Sequence, residues 1–456
     1  MNNQFGKDLT TGSIPKNLII FALPILIGNL LSTAYNIVDT IWVGNLLGKD
    51  AVGAVAVSFP IFLGMVALCS GATLATSILI SKAYGAKDYA AIQKIVNNSW
   101  AIAIVIIIAV ITGGLLLSET MLRLLGTSEE IMPLAKGYLN IIVMNFAGLY
   151  LSYLLSSILR GIGDTLIPLI CIIISTCFNA VLDPLLIIGV GPLPRLGLNG
   201  AALATLLSSV VATVLGLIYM NRKYKKEPVN PSGLLFEEKT IMDIVKIGLP
   251  SFTQQMLISM GYAVTTVFVN RFGDTSIAAF GIANKLDSIV AMPAIAMMMA
   301  ISALTAQSIG AGKPERIKDI FKWGIIINIP VILAISAACV YFPETIMGVF
   351  VKETDVIQVG IEYLRIVGVG YLTYIAFYVS NGVINGAGKT ISTMIISFIS
   401  ICVVRIPLAG FLSNTSMGIR GVWYAVVISF AATMINSLLY YFLGRWRKGI
   451  VLSNQS

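Results

Sequence analysis

No histidine occurs anywhere in the 456 residues, which removes imidazole zinc ligands, Ser-His and Cys-His nucleophile pairs and histidine proton relays. Charge is nearly as scarce: 11% of residues are Asp, Glu, Lys or Arg, against roughly 25% in a soluble domain. Cysteine is limited to Cys69, Cys171, Cys177, Cys339 and Cys402, all inside apolar runs. Five is an odd number, and its placement argues against a disulfide framework. What fills the chain is apolar: 57% hydrophobic residues and a mean hydropathy of +0.90. Water is not the solvent for such a surface.

Apolar stretches of about 20 residues read as membrane-spanning helices. Twelve begin near residues 17, 51, 92, 132, 165, 198, 241, 276, 316, 356, 391 and 418. Barrel strands are short and alternating, which these runs are not. The expected fold is an all-α polytopic membrane protein with twelve transmembrane helices and the lipid bilayer as its surroundings. The first run is about twice as long as the hydrophobic core of a signal peptide, so it is expected to stay as a helix. The net charge of +9 is not a nucleic-acid surface. With both termini cytoplasmic, 20 of the 30 Lys and Arg fall inside, Lys226, Arg445, Arg447 and Lys448 among them; 7 fall outside, and Lys285, Arg365 and Arg405 lie within helices. That bias is the positive-inside pattern, and no nucleic-acid partner is expected.

The chain repeats itself. "FALPILIG" at 21–28 returns as "IGLPSFTQ" at 247–254, aligning Pro24 with Pro250. "LLGKDAVGA" at 46–54 returns as "RFGDTSIAA" at 271–279, and "RGIGDT" at 160–165 as "NGAGKT" at 385–390. The offset stays at 225 or 226. The division expected from this is 1–221 for helices one to six, a cytoplasmic linker at 222–240, and 241–456 for helices seven to twelve. An even number of helices per repeat makes the two halves parallel repeats about an axis along the membrane normal. Secondary transporters are built this way, with the substrate path between the repeats and alternating access as the mode of work. That step is analogy from architecture.

An ionisable residue at mid-membrane costs roughly 2.5 to 3.5 kcal/mol on insertion scales and normally faces a cavity. Asp39 and Asp183 are such residues. Counting from Lys16 and Asp164, they lie about 35 Å and about 28 Å along their helices, while Thr205 falls about 12 Å along helix six as it returns. Each acid has a polar residue four positions earlier, Tyr35 and Asn179, hence on the same helix face. Helices one, five and six are thus expected to bring one polar site together. The repeat acts as a control, because positions matching Asp39 are Val264 or Thr265 and the neighbourhood matching Asp183 carries Arg405. A single such acid is as well explained as a structural anchor. A convergent pair titrates as a coupled unit, suited to a proton or to a Na⁺ held by Asp39, Asn179, Asp183 and Thr205.

The combination "LP…YNIVDTIWVG…LGKDAVGA", "LRGIGDT", "NAVLDP" and "GLNGAALAT" resembles the MATE (multidrug and toxic compound extrusion) family of the MOP superfamily, closest to its DinF-like branch. The resemblance covers essentially the whole chain. It implies a V-shaped transporter exporting small amphipathic or cationic compounds against inward H⁺ or Na⁺, with no other cofactor. It places the branch's functional residues on Tyr35, Asp39, Asn179, Asp183 and Thr205. The NorM-like branch carries acids in helices seven and ten; here helix seven offers Gln254, Gln255, Thr265 and Thr266, so a second-half cation site is not expected. The setting implied is the cell membrane of a prokaryote, as a multi-pass monomer.

Other residues take lesser places. Asn36, Gln254, Gln255 and the aromatic stripe Tyr371, Tyr374 and Tyr378 are candidates for lining a substrate cavity, the stripe through cation–π contact. Pro24, lacking a backbone donor, is the expected hinge of helix one. Lys285, Asp287 and Arg405 are expected to be structural, with Arg405 meeting an acid across the second half. "GIGD" at 161–164 matches the Gly-x-Gly-Asp of intramembrane aspartyl proteases, but an acid capping the start of helix five explains it better. A MOP-type flippase for a lipid-linked precursor is the alternative function.

Overall fold

The computed structural model describes residues 6–189, 194–225, 227–231, 233–444 and 446, apart from the side chain of Thr40. Lys226, Arg445, Arg447 and Lys448 of the charge count lie outside the described residues. Helices α1 (Ile14–Leu47), α2 (Lys49–Gly85), α3 (Tyr89–Leu124), α4 (Met132–Gly161), α5 (Leu166–Ile188) and α6 (Leu198–Lys223) form the first repeat. The second has α7 (Glu238–Val269), α8 (Asp274–Gly310), α9 (Arg316–Tyr341), the short α10 (Pro343–Gly348), α11 (Thr354–Gly370) and α12 (Thr373–Gly386). It ends with α13 (Thr390–Phe398), α14 (Ile406–Leu412) and α15 (Ile419–Leu443). Each of the twelve starts expected from hydropathy falls within a few residues of a helix start.

Ten segments are each long and apolar enough to cross a membrane, and α11 with α12, bent by 50° at their break, make an eleventh. In α7, Glu238, Lys239, Asp243 and Lys246 crowd one end and the remainder is uncharged; its place in the repeat makes it the twelfth. On α3, Ile108, Leu116 and Leu124 are 60%, 77% and 83% exposed. Surfaces of that kind are covered by lipid, not water.

Helix ends follow local chemistry. Asp88 caps α3 by accepting from Ala91 N at 2.9 Å. Asp164 accepts from Leu166 N and Ile167 N at 3.2 and 3.4 Å. It also takes the Tyr224 hydroxyl at 2.7 Å and Lys223 Nζ at 2.9 Å. The "GIGD" acid is therefore occupied in starting α5. Between α13 and α14 the helix widens into a π-helical stretch, Ile399–Arg405, just before Pro407, which has no N–H to continue the α-helical ladder.

The described residues form two compact units. Unit 1 comprises 6–8, 27–84 and 88–245; unit 2 comprises 9–26, 85–87 and 246 onward. This spatial division departs from chain order in short pieces. Leu9, Ile14, Leu18, Phe21 and Ile25 join Ala300, Leu304, Ile320, Tyr441 and Trp446 in one apolar cluster of unit 2, and Leu9 N donates to Gln307 Oε1 at 3.0 Å. α1 changes unit just past Pro24. In unit 1 the linker is pinned by Gln93 Nε2 to Asn230 O (2.7 Å) and Glu237 N to Asn98 Oδ1 (2.8 Å). Hydrogen bonds from Thr240 and Lys94 hold the Glu237 carboxyl below the usual carboxylate range.

Within unit 2, α8 and α12 approach through small residues. A Cβ on Gly386 would stand 2.5 Å from Ser302 O, and one on Gly382 2.8 Å from Met298 O. Spaced four apart, the two glycines let backbones meet where lipid gives no hydrophobic drive. Gly386→Val should lower stability by at least about 2 kcal/mol, since its neighbour is backbone that cannot rotate away. Thermal unfolding in detergent checks this; an unchanged midpoint would count against the close packing.

Candidate functional site

Unit 1 brings Tyr35 and Asp39 of α1, Asn179 and Asp183 of α5, and Thr205 of α6 into one cluster. Thr205 is its hub. Its hydroxyl donates to Ala201 O at 3.1 Å, so it must accept from the Tyr35 hydroxyl at 2.9 Å and from Asn179 Nδ2 at 3.4 Å. Tyr35 thereby directs its donor to Thr205 and not to the acids, while the Asn179 amide lies between Thr205 and Asp183, within reach of both. The carboxyl groups of Asp39 and Asp183 face each other closely enough for one to hydrogen-bond to the other once either carries a proton.

Four buried oxygens are left without a donor: Asp39 Oδ1, both oxygens of Asp183, and Asn179 Oδ1. Asp183 is fully buried and Asn179 nearly so. Carboxylates accept only, and buried acceptors without partners are costly. Pro184, next to Asp183, has no N–H to give the Ala180 carbonyl its helical hydrogen bond. An all-oxygen cluster of this kind suits a proton shared between the acids or a hard monovalent cation. Among the described residues no group of three or more His, Cys, Asp or Glu forms, which fits neither a zinc nor a multi-carboxylate divalent site.

Sequence reasoning missed Tyr138 on α4, half-buried and within electrostatic range of both acids. The signal was in the repeat. Tyr363 stands 225 residues later and donates to Asp287 Oδ2 at 2.6 Å, so each half sets a tyrosine from the same place against its own acid.

Unit 2 differs. Asp287 is buried, with one oxygen accepting from Tyr363 and the other from the Tyr371 hydroxyl. Arg405 lies within electrostatic range of it but makes no direct ion pair. Lys285 is exposed. Thr265 and Thr266 turn their hydroxyls to their own helix, on Gly261 O and Tyr262 O.

The cavity-lining candidates separate. Tyr371 and Tyr374 are core residues of unit 2, not lining residues. All three follow Gly370, and their rings meet in sequence at 5.6 and 5.3 Å, so the stripe holds together with its first two members packed into the core. Tyr378 stays half-buried. Gln254 is engaged with Ser397 Oγ and Thr393 Oγ1 at 3.0 and 3.3 Å. Gln255 and Asn36 are exposed, Asn36 with its amide on Ser32 O. Pro24 is buried within α1. All five cysteines are free thiols.

The MatE family model matches the chain twice, over residues 24–185 and 250–411, starting at Pro24 and Pro250. The chain is 33% identical over 441 residues to the probable multidrug resistance protein YpnP of Bacillus subtilis, covering 96% of this chain and 97% of that protein. It is 26% identical over 449 residues to the probable multidrug resistance protein NorM of Thermotoga maritima, covering 97% and 95%. Among solved structures, a crystal structure of MATE in the bent conformation superposes with a TM-score of 0.89 at 25% identity over 98% of both chains.

Proposed function

The chain belongs to the MATE family of membrane transporters, and on that premise we propose that it exports small amphipathic, cationic compounds in exchange for inward H⁺ or Na⁺. The observation that carries this reading is the set of donor-less oxygens on Asp39, Asp183 and Asn179. Such a set is stable only when a proton or cation is present, so its occupancy is a free-energy switch. Asp39 and Asp183 hold the coupling ion; Thr205 orients Tyr35 and Asn179 around it. The relatives named for multidrug resistance support a drug-like substrate. Unit 2 takes no coupling ion, since its buried acid is already satisfied by two tyrosines.

The protein works as a monomer in the plasma membrane of a prokaryote, with both termini and the 222–240 linker cytoplasmic, as the lysine and arginine bias favours. One vesicle experiment tests orientation and coupling. In inside-out vesicles, a membrane-impermeant maleimide should label a cysteine placed at Lys225. The same vesicles should take up a fluorescent hydrophobic cation when a pH or Na⁺ gradient is imposed. Labelling of Lys225→Cys only from the other face would reverse the orientation. Uptake indifferent to both gradients would remove the antiport reading.

A further inference from the structure

Unit 2 buries a positive charge for which the described residues supply no contacting anion. Arg405 is 6% exposed and closes the π-helical stretch Ile399–Arg405. Its one hydrogen bond runs from Nε to Ser429 Oγ at 2.8 Å. A guanidinium carries five N–H donors and no acceptor, so the four on its two Nη atoms have no acceptor among the described residues.

Three features surround those free donors. Gly261 lies beside them: a Cβ there would stand 2.9 Å from Ile401 Cγ2 and 3.5 Å from Nη1, so the glycine lets α7 approach this stretch without a side chain crowding the fork. The guanidinium lies over the Phe430 ring at 5.2 Å and the Tyr262 ring at 6.0 Å. Tyr374 packs edge-on against both Phe430, at 5.1 Å, and Tyr378, at 5.3 Å. Tyr262 and Tyr378 are only half-buried, which leaves a way in beside the rings.

A tethering role explains this poorly. An arginine buried for structure is expected to have its fork on a carboxylate, because an unpaired buried charge costs several kcal/mol. Asp287 has both oxygens taken by tyrosine hydroxyls. It balances the charge of Arg405 from a distance and leaves the fork free.

We propose that unit 2 holds a binding site for an aromatic carboxylate, whose carboxylate is gripped by Nη1 and Nη2 of Arg405 and whose ring packs against Tyr262, Tyr378 and Phe430. The planar fork matches a carboxylate bidentately, and the ring walls supply offset or edge-on contacts. This site is opposite in sign to the acid pair of unit 1, and its occupancy does not depend on ion coupling.

The test is direct binding by the full chain in detergent, using radiolabelled 2-naphthoate in equilibrium dialysis against protein-free micelles. Wild type should bind saturably, and the neutral alcohol 2-naphthalenemethanol much more weakly. Arg405→Gln should weaken naphthoate by about tenfold or more, as expected for lost charge-assisted hydrogen bonds. Arg405→Lys keeps the charge that faces Asp287 but loses the fork, and should weaken it several-fold. Asp39→Asn should leave naphthoate affinity as in wild type, separating this site from the coupling site. The proposal is overturned by absence of saturable binding in wild type, by equal binding of the alcohol, or by a loss in Asp39→Asn matching that in Arg405→Gln. Unchanged affinity in Arg405→Lys overturns it as well, and that variant decides alone where Arg405→Gln does not fold.

Discussion

Asp39→Asn should reduce gradient-driven export to the level of protein-free vesicles while the protein stays folded and still binds a hydrophobic cation. The amide has nearly the volume of the acid, so packing around α1 is kept. Its Nδ2 can donate to the facing Asp183 carboxyl, whose two oxygens are under-supplied with donors in the native cluster. The variant thus imitates the protonated acid permanently. A transporter that must alternate between an occupied and an emptied site is then held in one of its two states. Because a donor is added where acceptors were crowded, the thermal midpoint should rise or hold. That sign matters, since a falling midpoint would make lost export a folding defect. Export by purified Asp39→Asn at the wild-type rate would remove Asp39 from coupling. Where Na⁺ is the ion, loss of the negative ligand should also abolish Na⁺-dependent protection against heating.

Much of this cluster was legible because helices are regular. A fixed rise per residue set Asp39, Asp183 and Thr205 at one depth, and four-residue spacing put Tyr35 and Asn179 beside the acids. The helix starts were legible because lipid demands long apolar runs. What escaped has physical reasons. Tyr138 is a tyrosine in an apolar run, where tyrosine packs as readily as it functions. Asp287 meets Tyr363 and Tyr371 across 76 and 84 residues, a distance that no helical period reports. The stripe Tyr371, Tyr374 and Tyr378 follows its spacing, but spacing does not report that Tyr374 packs on Phe430 of α15 and lies in the core. The passage of residues 9–26 into unit 2 depends on long-range packing of Leu9, Leu18 and Phe21, which their local pattern does not carry.

Asp287→Ala should cost far more stability than Asp39→Asn, although both remove a carboxylate with a buried oxygen. The reason lies in what each acid leaves behind. Asp39 has an oxygen without a donor, whereas Asp287 accepts from Tyr363 and from Tyr371. Truncation orphans both hydroxyls and takes away a carboxylate within electrostatic range of Arg405. Breaking a buried charge arrangement from one side costs about 3 to 5 kcal/mol, enough to deplete folded protein. Asp287→Asn keeps an acceptor for one tyrosine and should fall between Asp287→Ala and wild type. With no ion to exchange at Asp287, that variant should leave the ion-to-substrate ratio of transport unchanged. Pairing Asp287→Leu with Arg405→Met removes both charges and should recover stability relative to Asp287→Leu alone, because apolar replacements of a buried pair are often neutral or better. Thermal unfolding of the detergent-solubilised variants measures the cycle. Additive losses in the double variant would mean that Arg405 and Asp287 do not sense each other. An altered ion ratio in folded Asp287→Asn would give unit 2 a part in coupling.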